Sequence, residues 1–236
     1  MPPELIRLGA VASTMEEAHR RAQDGAPHGT AILAREQTAG RGTRGRAWSS
    51  PPGGLWLSVI ARPGRADAVE ALSLRVGLAV AAALELAHPA LPRLGVKWPN
   101  DIVVDRRKLA GILCEARWGG CRCLWVVVGL GVNVRNPIPA EIADRAVALS
   151  VWDPGADPDA LAGPIAAVTA LAAREAGPLD DPELRAFALR DALAGVRIVE
   201  PVAGSAEGIT AAGALRVRTD AGPLAEVVAG VVALPS

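Results

Sequence analysis

The sequence predicts an α/β main domain followed by a small all-β tail, and three observations predict it. Short β-like apolar runs alternate with longer helix-like stretches through most of the chain. The last forty or so residues then change to short β-like pieces separated by Gly and Asp-Ala-Gly turns. Half of the 236 residues are hydrophobic, yet no uninterrupted apolar run approaches the ~20 residues that span a bilayer, so the chain buries a core and no membrane is expected. That length suits one large domain or a large plus a small one. The change of character marks a boundary near Gly195, and we divide the chain into 1–190 and 191–236.

Leu5 to Val11 reads as a short strand. Ser13 with Glu16, or Thr14 with Glu17, has capping-box spacing for a helix running to about Gln23. Thr30 to Arg35 is a second strand, leading into a Gly/Arg-rich stretch from Gln37 to Trp48. After the Pro51-Pro52-Gly53-Gly54 turn, Leu55 to Ala61 is apolar enough for a buried strand. Ala66 to Ala87 reads as a long helix with Leu72, Val76, Ala79, Val80 and Ala83 on one face. Three strands follow, Leu94 to Trp98, Ile102 to Val104 and Leu109 to Glu115, the last two joined by the charged turn Asp105-Arg106-Arg107. Leu124 to Val134 is the most apolar stretch and is expected at the centre of the sheet. Helical pattern returns from Asp157 to Ala176 and from Pro182 to Leu193. The tail offers Val196 to Val199, Glu207 to Thr210, Leu215 to Thr219 and Glu226 to Val232 as strands.

Twenty-five basic and 25 acidic residues cancel, which removes the long-range attraction that a nucleic-acid or membrane-surface binder relies on. Met-Pro-Pro-Glu lacks the basic and apolar start of a signal peptide, and Cys114, Cys121 and Cys123 cannot all pair, so a reducing, cytoplasmic location is expected. Only Lys97 and Lys108 among the basic residues are lysine; there are three asparagines, two glutamines and no tyrosine. Such a skew fits nucleotide bias in the gene. A lysine or asparagine that survives it is a candidate for chemistry, and Lys97, Asn100 and Lys108 lie close together in sequence.

Gly40, Gly42 and Gly45 spell G-x-G-x-x-G, but Trp-Ser-Ser-Pro-Pro-Gly-Gly follows where a dinucleotide site needs a helix. Arg41, Arg44 and Arg46 interleaved with those glycines suit either a solvated arginine loop or a grip on phosphate. A nucleic-acid module using the same loop is a weaker reading, because no second basic cluster stands beside aromatic residues. Lys97-Trp98-Pro99-Asn100-Asp101 ends a strand in a turn, and Gly129 and Gly131 interrupt a strand that ends at Asn133, marking a bulge or a close approach by a ligand. The cysteines, with His19, His28 and His88 scattered, do not have zinc-ligand spacing.

Taken in order, Ser-Thr, Gln-Thr-Ala-Gly-Arg-Gly-x-x-Gly-Arg-x-Trp, Lys-Trp-Pro-Asn-Asp, Lys-Leu-Ala-Gly-Ile-Leu and Val-Gly-Leu-Gly-Val-Asn-Val resemble the biotin protein ligases over roughly residues 5–135. The resemblance implies a mixed central sheet flanked by helices and an SH3-like tail. It implies activation of biotin by ATP to biotinyl-5′-AMP, with Mg²⁺, and transfer to a lysine of the biotin carboxyl carrier domain of a carboxylase. The chain begins at the catalytic strand, so the form without an N-terminal DNA-binding domain, and without nucleic acid as partner, is expected; a homodimer is compatible. Lys108, Arg41 and Arg44 are the implied catalytic residues. Biotin would lie against Ser13, Thr14, Gln37, Gly40, Arg41, Gly42, Thr43, Lys108, Gly111 and Gly131, and ATP against Arg41, Arg44, Arg46, Trp48, Lys97, Asn100 and Asn133; no metal ligand is assigned. Two departures stand out: Met15 replaces the family's Asn, removing one hydrogen bond near biotin, and Thr43 replaces an arginine that helps to retain the adenylate. Lipoate or octanoate ligases and transferases share the catalytic fold and are the nearest rivals, but their Arg-Arg-x-x-Gly-Gly type motif is absent.

Overall fold

Seven strands form one sheet in the order β1 (Leu5–Val11), β2 (Ala31–Gln37), β3 (Leu55–Ala61), β7 (Arg122–Val132), β6 (Arg107–Gly119), β5 (Asp101–Val104) and β4 (Gly95–Lys97). This is a computed structural model, and it describes residues 4–63, 69, 71–175 and 177–234. The first pair is parallel and the rest antiparallel, so the sheet is mixed, as expected. β1 and β2 run parallel because α1 (Thr14–Gln23) crosses between them.

Ser13 caps α1 by accepting a hydrogen bond from the Met15 amide at 3.2 Å. The expected capping box does not form: Glu16 reaches Arg41 instead, and Glu17 pairs with Arg20. α1 covers one face of the sheet, packing Met15, Ala18 and Ala22 on Ile32, Ile60 and Val127. α2 (Leu72–Ala87) and α3 (Pro158–Ala172) cover the other, α2 over β4 to β6 and α3 over β3, burying Leu72, Val76, Val80, Leu161 and Ile165 in one core with the sheet. With both faces covered, all seven residues of β3 are buried, which explains its continuous apolar run. β7 is the middle strand of the seven. The expected start of α2 at Ala66 and end of α3 at Ala176 lie outside the described residues; α2 is helical from Leu72, and α3 ends at Ala172. α4 is shorter than expected, Asp181–Ala188, and carries a capping box between Asp180 and Glu183.

The tail is an antiparallel sheet in the order β11 (Leu224–Val227), β10 (Leu215–Thr219), β9 (Gly204–Ile209) and β8 (Arg197–Ile198). Its inner residues Ile198, Ala206, Leu215 and Val217 share one core with Leu74, Leu78, Val96 and Trp98 of the main sheet and its helix. The buried Trp98 indole N–H donates to the Gly213 carbonyl at 2.9 Å across that core. Residues 190–192 run beside β4, the Val96 amide donating to Arg190 and the Ala192 amide to Val96. Among the described residues no helix is long and apolar enough to cross a membrane.

Candidate active site

The N-terminal half of β3, the C-terminal end of β7, the start of β6 and the loop after β2 enclose a cleft of about 860 Å³. Its floor is a hydrogen-bonded polar cluster. Gln37 Oε1 accepts from the Thr14 amide at 2.8 Å and from Thr14 Oγ1 at 3.0 Å, while Gln37 Nε2 donates to Ser50 Oγ at 2.8 Å. Fully buried Ser58 donates to Thr14 Oγ1 at 2.8 Å, so the threonine hydroxyl both donates and accepts. Met15 leaves no gap: a Cβ on Gly129 would lie 2.4 Å from its sulfur, so the thioether packs directly on the bare β7 backbone where the resemblance implies an asparagine.

Gly111 pairs with Gly131 in the β6–β7 ladder, which sets two bare backbone positions side by side. The Trp48 indole lies across both: a Cβ on Gly131 would stand 2.6 Å from its Nε1, and one on Gly111 3.1 Å from its ring. Among the described residues that buried Nε1 has no hydrogen-bond partner. Trp48 thus sits on the glycines that the resemblance gives to biotin, rather than apart from them.

Charge in the cleft is one-sided. Among the described residues, Arg41, Arg46, Lys97, Arg106, Lys108 and Arg145 line it, against the single carboxylate of Asp101. In a chain of zero net charge this is a local concentration, and a walled cleft focuses its field. Lys108 Nζ lies 2.5 Å from Asp101 Oδ1 and 4.8 Å from the centre of the Trp48 ring, which fixes the ammonium between a carboxylate and an aromatic face. Asp101 reaches it because β5 and β6 form a tight hairpin whose turn residues Asp105 and Arg106 adopt φ of 48° and 65°.

The loop is closed by its own backbone, with Trp48 donating to Gly40 at 2.9 Å and Gly42 to Arg46 at 2.8 Å. Gly40 must be glycine, because a Cβ there would lie 2.5 Å from the Trp48 carbonyl oxygen. Arg41 is held by Glu16 at 3.1 Å, and Arg46 donates to Thr43 Oγ1 at 3.3 Å. Arg44, at φ 59°, does not line the cleft.

The model of the biotin/lipoate A/B protein ligase family matches residues 9–133. The chain belongs to this family. The biotin protein ligase C-terminal domain matches residues 196–234. The chain is 39% identical over 155 residues to the bifunctional ligase/repressor BirA of Bacillus subtilis, covering 64% of this chain and 47% of that one. It is 46% identical over 104 residues to the biotin–[acetyl-CoA-carboxylase] ligase of Paracoccus denitrificans, covering 44% of this chain and 43% of that one. The chain therefore spans about half the length of the curated relatives it matches. The biotin protein ligase of Aquifex aeolicus, solved with biotin and ATP, superposes with a TM-score of 0.83 at 27% identity, over 98% of this chain and 99% of that one.

Of the site residues expected from resemblance to the ligases, all but Gly40 and Arg44 line the one cleft. Asn133 Oδ1 accepts from Asn136 Nδ2 at 3.1 Å, while Asn100 spends its amide on the Ile112 carbonyl at 2.7 Å, splicing the start of β5 to β6. Sequence reasoning missed Asp101, Arg106, Asn136 and Arg145, and it missed Gly230 to Val232 and Leu234 of the tail, which close one side. Asp101 stood within the quoted Lys-Trp-Pro-Asn-Asp motif; the tail residues carried no sequence signal.

Proposed function

We propose that this chain joins biotin to ATP as biotinyl-5′-AMP and then passes the biotinyl group to a lysine of a biotin carboxyl carrier domain. The observation that carries the reading is a cleft lined, among the described residues, by six cations and one carboxylate over a hydrogen-bonded polar floor. In the first step a carboxylate oxygen of biotin attacks the α-phosphorus and pyrophosphate leaves. In the second the carrier amine attacks the acyl carbon, AMP leaves as a phosphate anion, and the amine loses a proton. Two unit charges 4 Å apart repel by ~4 kcal/mol at an effective dielectric of 20, so the first step needs cations at the point of attack. Lys108, held over the floor by Asp101, is the group we assign to both anions, with Arg41 and Arg46 on the phosphates.

Thr14, Gln37 and the backbone at Gly111 and Gly131 would seat the biotin ring after Trp48 swings aside to the adenine, where Asn133 and Lys97 stand. Among the described residues no three carboxylate, His or Cys groups converge, and Asp101 is already paired with Lys108; this donor set does not fit a protein-held Mg²⁺, which we treat as arriving with ATP. The similarity to biotin–[acetyl-CoA-carboxylase] ligases supports a carboxylase carrier as acceptor, and ATP as co-substrate supports a cytoplasmic setting. β1 is the open edge of the main sheet and the place where a second copy would pair. Pyrophosphate exchange into ATP tests the reading: exchange is expected with biotin and not with lipoate or octanoate. Exchange driven by lipoate or octanoate alone would hand the chain to the rival chemistry.

A further inference from the structure

Arg41 has anionic claimants on two sides. Its Nη1 donates to Glu16 Oε1 at 3.1 Å, on the first turn of α1, and its Nη2 stands 3.8 Å from Glu115 Oε1 on β6, while the same side chain lines the cleft. Glu115 is itself braced from behind. The Trp125 indole N–H, which can only donate, gives its proton to His19 Nδ1 at 3.0 Å. Nδ1 is therefore an acceptor, His19 is the neutral tautomer protonated on Nε2, and that N–H donates to Glu115 Oε2 at 3.0 Å. A neutral donor orients the carboxylate without cancelling its charge. Two carboxylates thus face one guanidinium, and neither belongs to the cleft.

We propose that Glu16 and Glu115 form an acidic dock for Arg41, which stores the guanidinium on the outer side of the loop and competes with the anion in the cleft for it. Glu16 and Glu115 are positioning residues that act through Arg41, and the link to ligand rests on the adenylate-forming reading above. The dock sets how readily the loop opens: with Arg41 on the acids the loop is latched but its charge is spent, and with Arg41 on a phosphate the charge holds the adenylate. Exposed ion pairs contribute modestly, so the expected effect on release is about two- to five-fold.

The test uses E16Q/E115Q, E115Q alone and Arg41→Gln in the full chain. Without ligand, amide hydrogen exchange across residues 41–47 is expected to quicken in both Gln variants. With biotinyl-5′-AMP added, its release is expected to slow in E16Q/E115Q, and both effects are expected to vanish in the Arg41→Gln background. Tighter retention is the telling readout, because structural damage loosens a site. Unchanged loop exchange, faster release, or slower release that survives Arg41→Gln overturns the dock. A wild-type chain that makes no adenylate sinks the functional reading instead, while the exchange measurement still decides the dock.

Discussion

The floor of the cleft and the arginine loop above it solve opposite problems. Thr14 and Ser58 are buried, Thr14 joined to Gln37 and Ser58 to Thr14 by bonds of 2.8–3.0 Å, and their places follow from strand register and a helix cap. The loop is exposed at every arginine, and its cations are held by groups such as Glu16 and Thr43 that an anion displaces readily. A neutral bicyclic ring is recognised by shape and by donors fixed in advance, which rigid strands provide. A triphosphate enters with its own charge and water, and groups that move onto it exact less ordering beforehand. Lys108 stands at the seam between the two regions, on a strand yet charged.

The largest effect is therefore expected at that seam. Lys108→Ala should lower biotin-dependent pyrophosphate exchange by about 10²–10³-fold, the ~3–4 kcal/mol typical of a lost transition-state donor. It also leaves Asp101 unpaired in the cleft, adding repulsion toward the nucleotide. Exchange at the wild-type rate would remove Lys108 from the mechanism. Next, Gly131→Val fills the bare backbone of the floor. Overpacking of ~1–3 kcal/mol should weaken biotin binding about 10- to 100-fold in calorimetry, at low and high salt alike. Salt sensitivity of that loss would mean the floor works by charge, and the contrast with the loop would fail.

Legibility in the sequence follows the same division. β1 and β3 lie where hydrophobic patterning sets them, Leu5–Val11 and Leu55–Ala61; for β3, burial on both sheet faces writes itself as a continuous apolar run, while β1 is a half-exposed edge strand. The glycine-arginine stretch was readable as a loop because its glycines and the prolines after it deny a helix. Charge partners were not readable. Glu16 has the spacing of a cap residue and serves as a loop tether, and Arg75, one of many arginines in a skewed composition, is buried on α2 with Glu183 as a bidentate partner at 2.6 and 3.0 Å. Such pairs join residues separated by twenty-five or a hundred positions, and no local pattern encodes them. The tail's reach to the cleft is invisible for the same reason.

The rigid half should also betray itself by acid. Burial holds His19 and His28 below the ordinary 6.5, each accepting a hydrogen bond at Nδ1 that a protonated ring cannot accept. The unfolded chain then takes up protons first, so stability is complete above pH 6.5 and declines as pH falls through the lower folded values. Hydrogen bonds from Arg190 hold Glu85 below its usual 4.5, so a second decline is expected under that pH. Urea unfolding at stepped pH should show both stages. In a His19→Asn/His28→Asn variant the first stage should vanish; a first stage left intact would place the titration elsewhere.

The smallest effect is expected from Thr43→Arg, and it is the one that isolates the loop. Thr43 lines the cleft and accepts from Arg46 at 3.3 Å, so the substitution adds a seventh cation to the wall and releases an existing one. At an exposed site each gain is worth about 0.2–1 kcal/mol, which slows escape of the biotinyl adenylate a few-fold and leaves biotin binding unchanged. Because the Debye length is ≈ 3 Å at 1 M salt, the slowing should disappear there. Release that is unaltered at low salt would mean that adenylate retention depends on the floor, and that the loop's charge serves only its capture.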